Sequence, residues 1–542
     1  MMAKKKSVLL VFVILTLFLQ AAVFAGGAQQ KGGQQGNRAA ALTEIGFNAS
    51  GYPIVSGPYT FTGLVSKNSM HGSYNNMEIL QQMEKETGVK VEWIEVPENS
   101  FTEQKNLRLA SDDLPDVFFS GIGDAEQLRY GPIGTLLPLE DLINEYAPRI
   151  KELFANRPDI QKFVTTPNGH EYVLPGLEEL LQRTNQDNAF INKTWLDKLG
   201  LKVPTTFDEF YAVLRAFKEK DPNGNGKRDE IPFSFALFGS QFDILSFYAG
   251  FGQGDYPSHV MVNNGKVYFT ANTNEWRNAT IYFKKLYSEG LIDQEAFTHD
   301  RSRYFGKGVE PDEIYGAFMG WFDENEVGNE RAKNDYVVLP PLIGVDGKQH
   351  WNYWPENVLE RGHFAITSKM KHPEVAIRWA DLCYEPDHSL QLKYGPFGIN
   401  LRKEGNRVIQ LTPPAGQSVD EFRYQHCPAV TMPFAMSAEV CDNFAWAENT
   451  VRKQERYQIY NKFQHSLSEV YPKVYFTSEE EDELAILRTD IVDFVNQTRS
   501  KFITGTENID TGWNNYVQTL NRAGLERYLE IYQKALDRYN GK

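Results

Sequence analysis

The sequence predicts an α/β fold with more than one domain and a helical C-terminal part. Three observations carry this. Strand-like and helix-like apolar spacings alternate through the first part of the chain. The 542 residues exceed what one ordinary core holds. Beyond Phe444 helical spacing dominates and ends in an amphipathic helix near 525–539.

The elements follow in order. Residues 59–65 read as a strand ending in a polar loop, 66–73. A helix is expected over 75–87, with Met77, Leu80 and Met83 on one stripe and Gly88 as its stop. Val89, Val91 and Trp93 alternate with charged residues, which predicts a strand to Val96. A helix to about Ala110 and a short apolar strand at 117–119 complete a parallel-sheet beginning. Ligands of such sheets sit beyond the carboxyl ends of the strands, which points to the loops 66–75 and 120–124. Further on, 188–201 reads as a strand leading into a short helix. A clean helix follows, with Thr206 and Glu209 as a capping box and Phe207, Phe210, Leu214 and Phe217 as its buried stripe. Another helix is expected over 274–289. Strands are expected up to Trp321, at "YVVLPPLIG" and at 362–368, and then a helix over 372–384.

The N-terminus and the charge narrow the function. Lys4, Lys5 and Lys6 precede an apolar run of about a dozen residues and then small residues up to Ala25, the pattern of a secretory signal over 1–25. Residues 26–44, rich in Gly and Gln, read as a flexible leader. The first cysteine is Cys383, so no lipid-anchoring cysteine follows the expected cleavage point. A free protein in a periplasmic or extracellular space is expected. The 56 basic and 71 acidic residues give a net charge of −15, which argues against nucleic acid and anionic membranes as partners. Three cysteines make a disulfide framework unsuited, although Cys427 and Cys441 are free to pair. No CxxC or HExxH occurs.

"DPNGNGKRDEIP" (221–232) is the most specific chemical signal. Asp221, Asn223, Asn225 and Asp229 fall at positions 1, 3, 5 and 9 of a calcium loop, and Gly226 falls at the turn. Lys227 would offer its backbone carbonyl. Position 12 is Pro232 rather than glutamate, so Glu230 is the available substitute. A structural calcium site is expected, since a lone loop lacks the paired helices of a sensor.

Other constellations are weaker. "GWFDENE" holds Asp323, Glu324 and Glu326, which read as a solvated acidic loop rather than a glycosidase pair. Trp321 beside Gly320 reads as a platform for a sugar ring. "HWNYWPEN" would place Trp351 and Tyr353 on one face and Trp354 on the other, and "CDNFAWAEN" offers Trp446.

The run 191–235 and the tail 502–539, together with "GWF", "GHFAITSKMKHPEVAIRWADLCY" and "YGPFGI", resemble the large extracellular solute-binding proteins of carbohydrate importers, which include alginate-binding proteins. That resemblance implies a two-lobe periplasmic-binding-protein fold of type II, joined by hinge crossings. Lobe one would comprise 45–186 plus 338–430, and lobe two 187–337 plus 431–542. It implies a non-enzymatic, monomeric receptor that hands a carbohydrate to the membrane permease of an ABC importer. It also carries the calcium ligands onto Asp221, Asn223, Asn225, Lys227, Asp229 and Glu230. Trp321, Trp446 and Tyr74 are the expected stacking residues, and Asn75, Ser120 and Asp323 the expected polar contacts. A secreted carbohydrate-active enzyme using Asp323 and Glu326, and a peptide-binding relative, are the competing readings.

Overall fold

The computed structural model describes residues 40–180, 184–237, 239–354, 358–414, 417, 419–445 and 455–542. The signal segment at 1–25, most of the leader and Trp446 lie outside the described residues. The strands in chain order are β1 (Tyr59–Lys67), β2 (Val89–Pro97), β3 (Val117–Phe118), β4 (Leu174–Glu178) and β5 (Asn188–Asn192). Next come β6 (Ile231–Ser234), β7 (Val260–Asn263), β8 (Lys266–Phe269), β9 (Tyr315–Gly320) and β10 (Tyr336–Val338). The last are β11 (Leu359–Ile366), β12 (Leu401–Glu404), β13 (Arg407–Gln410), β14 (Phe434–Met436) and β15 (Phe444–Ala445).

Two sheets define two lobes. The first has six strands in the order β14-β4-β11-β3-β1-β2, and the second has four in the order β10-β5-β9-β6. β1 pairs in parallel with both β2 and β3. Parallel neighbours need crossovers, and the helices Glu78–Thr87 and Glu98–Ser111 supply them. The first of these starts later than its spacing suggests, because Met77 is extended and separates it from a 3-10 turn at Tyr74–Asn76. β2 keeps its alternation, with Val89, Val91 and Trp93 buried and Lys90 and Glu92 exposed. Trp93 meets Phe119, and Phe119 meets Trp379, at ring distances of 4.8 and 5.4 Å in the first core. β11 runs antiparallel between β3 and β4.

In the second lobe the helix Phe207–Glu219 buries Phe210, Val213, Leu214 and Phe217, while Phe207 is only half-buried. Thr206 Oγ1 caps it by accepting the Glu209 N–H at 3.1 Å. The Glu209 carboxylate does not close the expected box. It accepts instead from the N–H and hydroxyl of Thr205, at 2.8 and 2.7 Å. The helical tail packs on this lobe. Its last helix, Leu525–Tyr539, buries Leu525, Tyr528, Ile531, Tyr532, Ala535 and Leu536. Full burial of a leucine or isoleucine such as Leu525 or Ile531 contributes about 1.5–3 kcal/mol.

The chain leaves the first sheet between β4 and β5 and returns between β10 and β11. Residues 339–354 nevertheless stay against the second lobe. Val345 N–H reaches Gly250 O at 2.9 Å, and Trp351 Nε1–H reaches Asp187 O at 3.0 Å. β14 belongs to the first sheet. β15 pairs with β13, and Phe444 packs with Phe434 and Tyr394 in a cluster beside that sheet. Segment 350–354 is no strand, so alternation does not apply. Trp351 and Trp354 are both buried and Tyr353 half-buried. Cys383, Cys427 and Cys441 are free and buried, so Cys427 and Cys441 do not pair. No helix among the described residues is long and apolar enough to cross a membrane.

Candidate functional site

Strand directions put the site between the sheets. The carboxyl ends of β1, β3 and β4 share one edge of the first sheet with the start of β11. In the second sheet the start of β5 lies opposite the end of β9, with Asn188 facing Gly320, and β6 ends beside them. The crossings leave from these two edges, which therefore border one cleft. Hydrogen bonds tie the crossings together. Glu178 N–H reaches Val358 O at 2.9 Å and Glu179 N–H reaches Met436 O at 2.9 Å. Trp354 N–H reaches Thr184 O at 3.0 Å.

Trp321 follows β9 directly and is half-buried, its ring stacked on Phe322 at 5.1 Å and 21°. Its carbonyl accepts from Asn188 Nδ2 at 3.0 Å, which fixes the ring-bearing turn to β5. Ser120 lies on the opposite edge after β3, half-buried, and its Oγ accepts the Ser66 N–H at 3.2 Å. Asn75 is exposed at the end of the loop after β1. Tyr74 is not a cleft platform. It is fully buried, 5.5 Å from the Trp93 ring, with its hydroxyl 2.9 Å from Thr431 Oγ1. The apolar stripe that starts the next helix draws it into the core.

The expected solvated acidic loop is instead a buried turn of helix, Asp323–Val327. Asp323 is 1% and Glu326 0% exposed. Asp323 binds the Arg456 guanidinium at 2.7 Å, and Glu324 meets it at 3.4 Å. The Glu326 carboxyl packs on Gly320, so that a Cβ there would come within 2.4 Å of its oxygen and the carboxyl would have to shift. Both Glu326 carboxyl oxygens are buried without a hydrogen-bond partner. Burial first, then the charges of Asp323 and Glu324, hold this carboxyl well above the usual carboxylate range.

Two polar residues of the first crossing, Asp187 and Asn185, carry no recognisable motif. Asp187 is fully buried. Its side chain accepts from Ser246 Oγ and, at 2.9 Å, from Trp354 Nε1, so it joins two crossings to the second lobe. Burial pushes it up to about 7, against the opposing bonds from Ser246 and Trp354. Asn185 Nδ2 donates to Asn188 Oδ1 at 2.5 Å, while Asn185 Oδ1 is buried without a partner. The available signal is the uninterrupted polar run 184–188 placed directly before an apolar strand.

The loop after the helix Phe207–Glu219 folds as its spacing requires. Gly224 and Gly226 sit at φ +76° and +74°, a region open to glycine. Asp221 oxygens accept the N–H groups of Gly224 and Gly226 at 3.1 and 3.0 Å. The amides of Asn223 and Asn225 both converge on the Asp229 carboxylate, at 3.0 and 2.9 Å. Which end of such an amide points inward is an assignment. Rotated, the same two amides present oxygens. Glu230 Oε1 is buried without a partner, and burial, then Asp221 and Asp229, raise its carboxyl. A convergent oxygen set with an orphaned carboxylate oxygen fits a hard cation such as calcium. Lys227 sends its ammonium outward to Asp312 at 2.5 Å, which leaves its carbonyl as its only contribution.

Two α/β lobes, three crossings bonded to one another and a cleft at the strand ends define the two-lobe binding proteins. The comparisons with known proteins carry this further. Residues 72–388 match the model of the bacterial extracellular solute-binding protein family, and the chain belongs to that family. It is 34% identical over 485 residues to the fructooligosaccharide ABC transporter substrate-binding protein FusA of Streptococcus pneumoniae, covering 86% of this chain and 87% of that protein. The structure of that protein in complex with kestose has a TM-score of 0.79 at 33% identity, covering 89% of this chain and 99% of the other. An EF-hand mutant of it in complex with fructo-nystose has a TM-score of 0.78 at 33% identity, with the same coverage. An HMO-binding, ABC-transporter-associated solute-binding protein from Bifidobacterium longum infantis has a TM-score of 0.75 at 25% identity, covering 89% of this chain and 99% of the other.

Proposed function

We propose that the protein is the substrate-binding component of an ABC-type importer, which captures an oligosaccharide between its lobes and delivers it to a membrane permease. The observation that carries this is the Trp321–Phe322 platform, fixed by Asn188 at the edge where the crossings leave. Sugar rings offer C–H faces to such an aromatic surface, and hydroxyls to the polar groups around it. Trp321 stacks on the ligand, and Trp446 is the expected second ring. Ser120 and Asn75 contribute polar contacts from lobe one. Asp323 acts through Arg456. Lobe one comprises about 45–186 with 359–445, and lobe two about 187–354 with 455–542. The lobes close about the crossings when ligand enters. The segment 1–25 exports the chain.

Calcium belongs in the 221–230 loop, held by Asp221, Asn223, Asn225, the Lys227 carbonyl, Asp229 and Glu230. Bound there, it supplies charge neutralisation to three carboxylates and fixes the loop under lobe two. The EF-hand of the streptococcal relative supports this assignment. The two acids of the enzyme reading are sealed from ligand, since Asp323 is held on Arg456 and Glu326 is 0% exposed.

The test is a thermal-shift panel of kestose, nystose, raffinose and short peptides, run with a reducing-sugar assay. Melting should rise with at least one oligosaccharide and with no peptide. Shifts with peptides alone, or release of reducing sugar, would overturn the proposal.

A further inference from the structure

We propose that a contact between the lobes outside the cleft, built around Arg361 and Tyr475, holds them in the arrangement seen here, so that its strength sets the affinity for ligand. This rests on the reading above for the closing of the lobes. Two observations carry it.

The first is the completeness of the contact. Arg361 enters β11 in the first lobe, and its side chain is 2% exposed. Its guanidinium lies between two rings, 4.2 Å from the centre of Phe163 and 3.8 Å from that of Tyr475. It donates to Asp124 at 2.5 Å and to the Lys473 carbonyl at 2.6 Å. The Tyr475 hydroxyl donates to Gln127 Oε1 at 2.7 Å. Phe163, Asp124 and Gln127 belong to the first lobe, on the helices Pro158–Val164 and Asp124–Tyr130. Lys473 and Tyr475 belong to the tail on the second lobe, where Arg538 of the last helix donates to the Tyr475 carbonyl at 3.1 Å. The lobes therefore share a link that the crossings do not supply. A cation desolvated between ring faces is held more strongly than an exposed one, because water no longer competes for it.

The second is the place of the contact. The helix Pro158–Val164 packs on β4 and β11, so the link sits on a face of the first sheet rather than on the strand-end edge that borders the cleft. Of the residues expected at that edge and opposite it, Asn75 is exposed, and Ser120 and Trp321 are half-buried. The cleft edges thus have room to approach, whereas the rings on Arg361 are already at contact distance. A contact that is already packed gains nothing from rotation of the lobes and can only be loosened by it. Ligand therefore closes the lobes against this link. The affinity measured is the intrinsic one reduced by the fraction of molecules free to close.

The experiment compares the full chain with Tyr475→Ala, Arg361→Met and Tyr475→Phe in calcium-containing buffer. Arg361→Met keeps an apolar stem between the rings and leaves Asp124, which is partly exposed, to solvent. Small-angle X-ray scattering reads the separation of the lobes without ligand, and titration calorimetry with kestose and nystose reads affinity. Tyr475→Ala and Arg361→Met should lower the ligand-free radius of gyration and tighten binding of the better probe roughly 5- to 30-fold. Tyr475→Phe keeps its ring on Arg361 and loses only the hydroxyl, so it should fall between the wild type and Tyr475→Ala. Damage to the fold alone lowers the melting temperature without tightening any ligand. Equal or weaker binding in both Tyr475→Ala and Arg361→Met, with the ligand-free scattering unchanged, would overturn the restraint. Failure of the wild type to bind either probe would count against the oligosaccharide reading instead, and the ligand-free scattering of the variants would still decide whether the link holds the lobes apart.

Discussion

Replacing Asp187 with asparagine should remove a pH dependence of folding built into the hinge. Asp187 is fully buried, and no charged group appears among the causes of its shift, whose bonds come from Ser246, Trp354 and Trp351. Its carboxyl moves from 3.8 to about 7, roughly three units, and each unit corresponds to about 1.4 kcal/mol. The native state therefore holds this proton more tightly than the unfolded chain. Between pH 4 and 7 the native state binds more protons, so stability falls as pH rises. The contribution is fully present below the unfolded value and lost on passing upward through about 7, for a total of about 4 kcal/mol. Asparagine keeps an acceptor for Trp354 Nε1 and does not titrate. Urea unfolding of both proteins at pH 4.5 and 7.5, in ligand-free buffer with fixed calcium, isolates the effect, because every other titrating group cancels in the difference. Asp187→Asn should gain on the wild type by roughly 3 kcal/mol across that interval. Parallel pH profiles for the two proteins would refute the burial argument.

Four further outcomes follow from the same geometry. Asp221→Ala should leave the purified protein without its calcium and lower its melting temperature, and equal calcium content by metal analysis would end the assignment. Trp321→Ala should weaken oligosaccharide binding roughly 10- to 100-fold, about 1.4–2.8 kcal/mol, with the fold intact by circular dichroism. Glu326→Gln should leave stability at pH 7 within about 1 kcal/mol by urea unfolding, because burial and Asp323 disfavour the charged form of the group it replaces; a loss of several kcal/mol would refute that argument. Dithiothreitol should leave the melting temperature unchanged, since Cys383, Cys427 and Cys441 are buried thiols.

What the residues disclose depends on how far apart the partners lie in sequence. β2 and the helix Phe207–Glu219 were readable because a single period decides which side is buried. The turn of the 221–230 loop was readable because the residues that shape it, Asp221, Gly224 and Gly226, lie within a few consecutive positions. Glu209 shows the limit of such local rules. Its spacing to Thr206 marks a box, yet Thr205 offers two donors where Thr206 would offer one, and the carboxylate follows the larger number. What ties 339–354 to the start of the second lobe is the Trp351 indole on Asp187, 164 residues away, and no local pattern discloses such a contact.

The acidic turn 323–327 carries the same lesson into function. By composition it belongs at the surface, and three carboxylates in four residues argue for water. Arg456 reverses that from 133 residues away by pairing with Asp323, and burial then raises the Glu326 carboxyl and disfavours its charged form. Once both are inside, the turn that carries Trp321 is anchored at both ends, by Asn188 on its carbonyl and by the Asp323–Arg456 pair just beyond. A stacking platform on a loop needs such anchoring, since a freely moving ring would lose in ordering what it gains in contact. The charges that made the segment look like solvent-exposed loop are therefore what hold its tryptophan still.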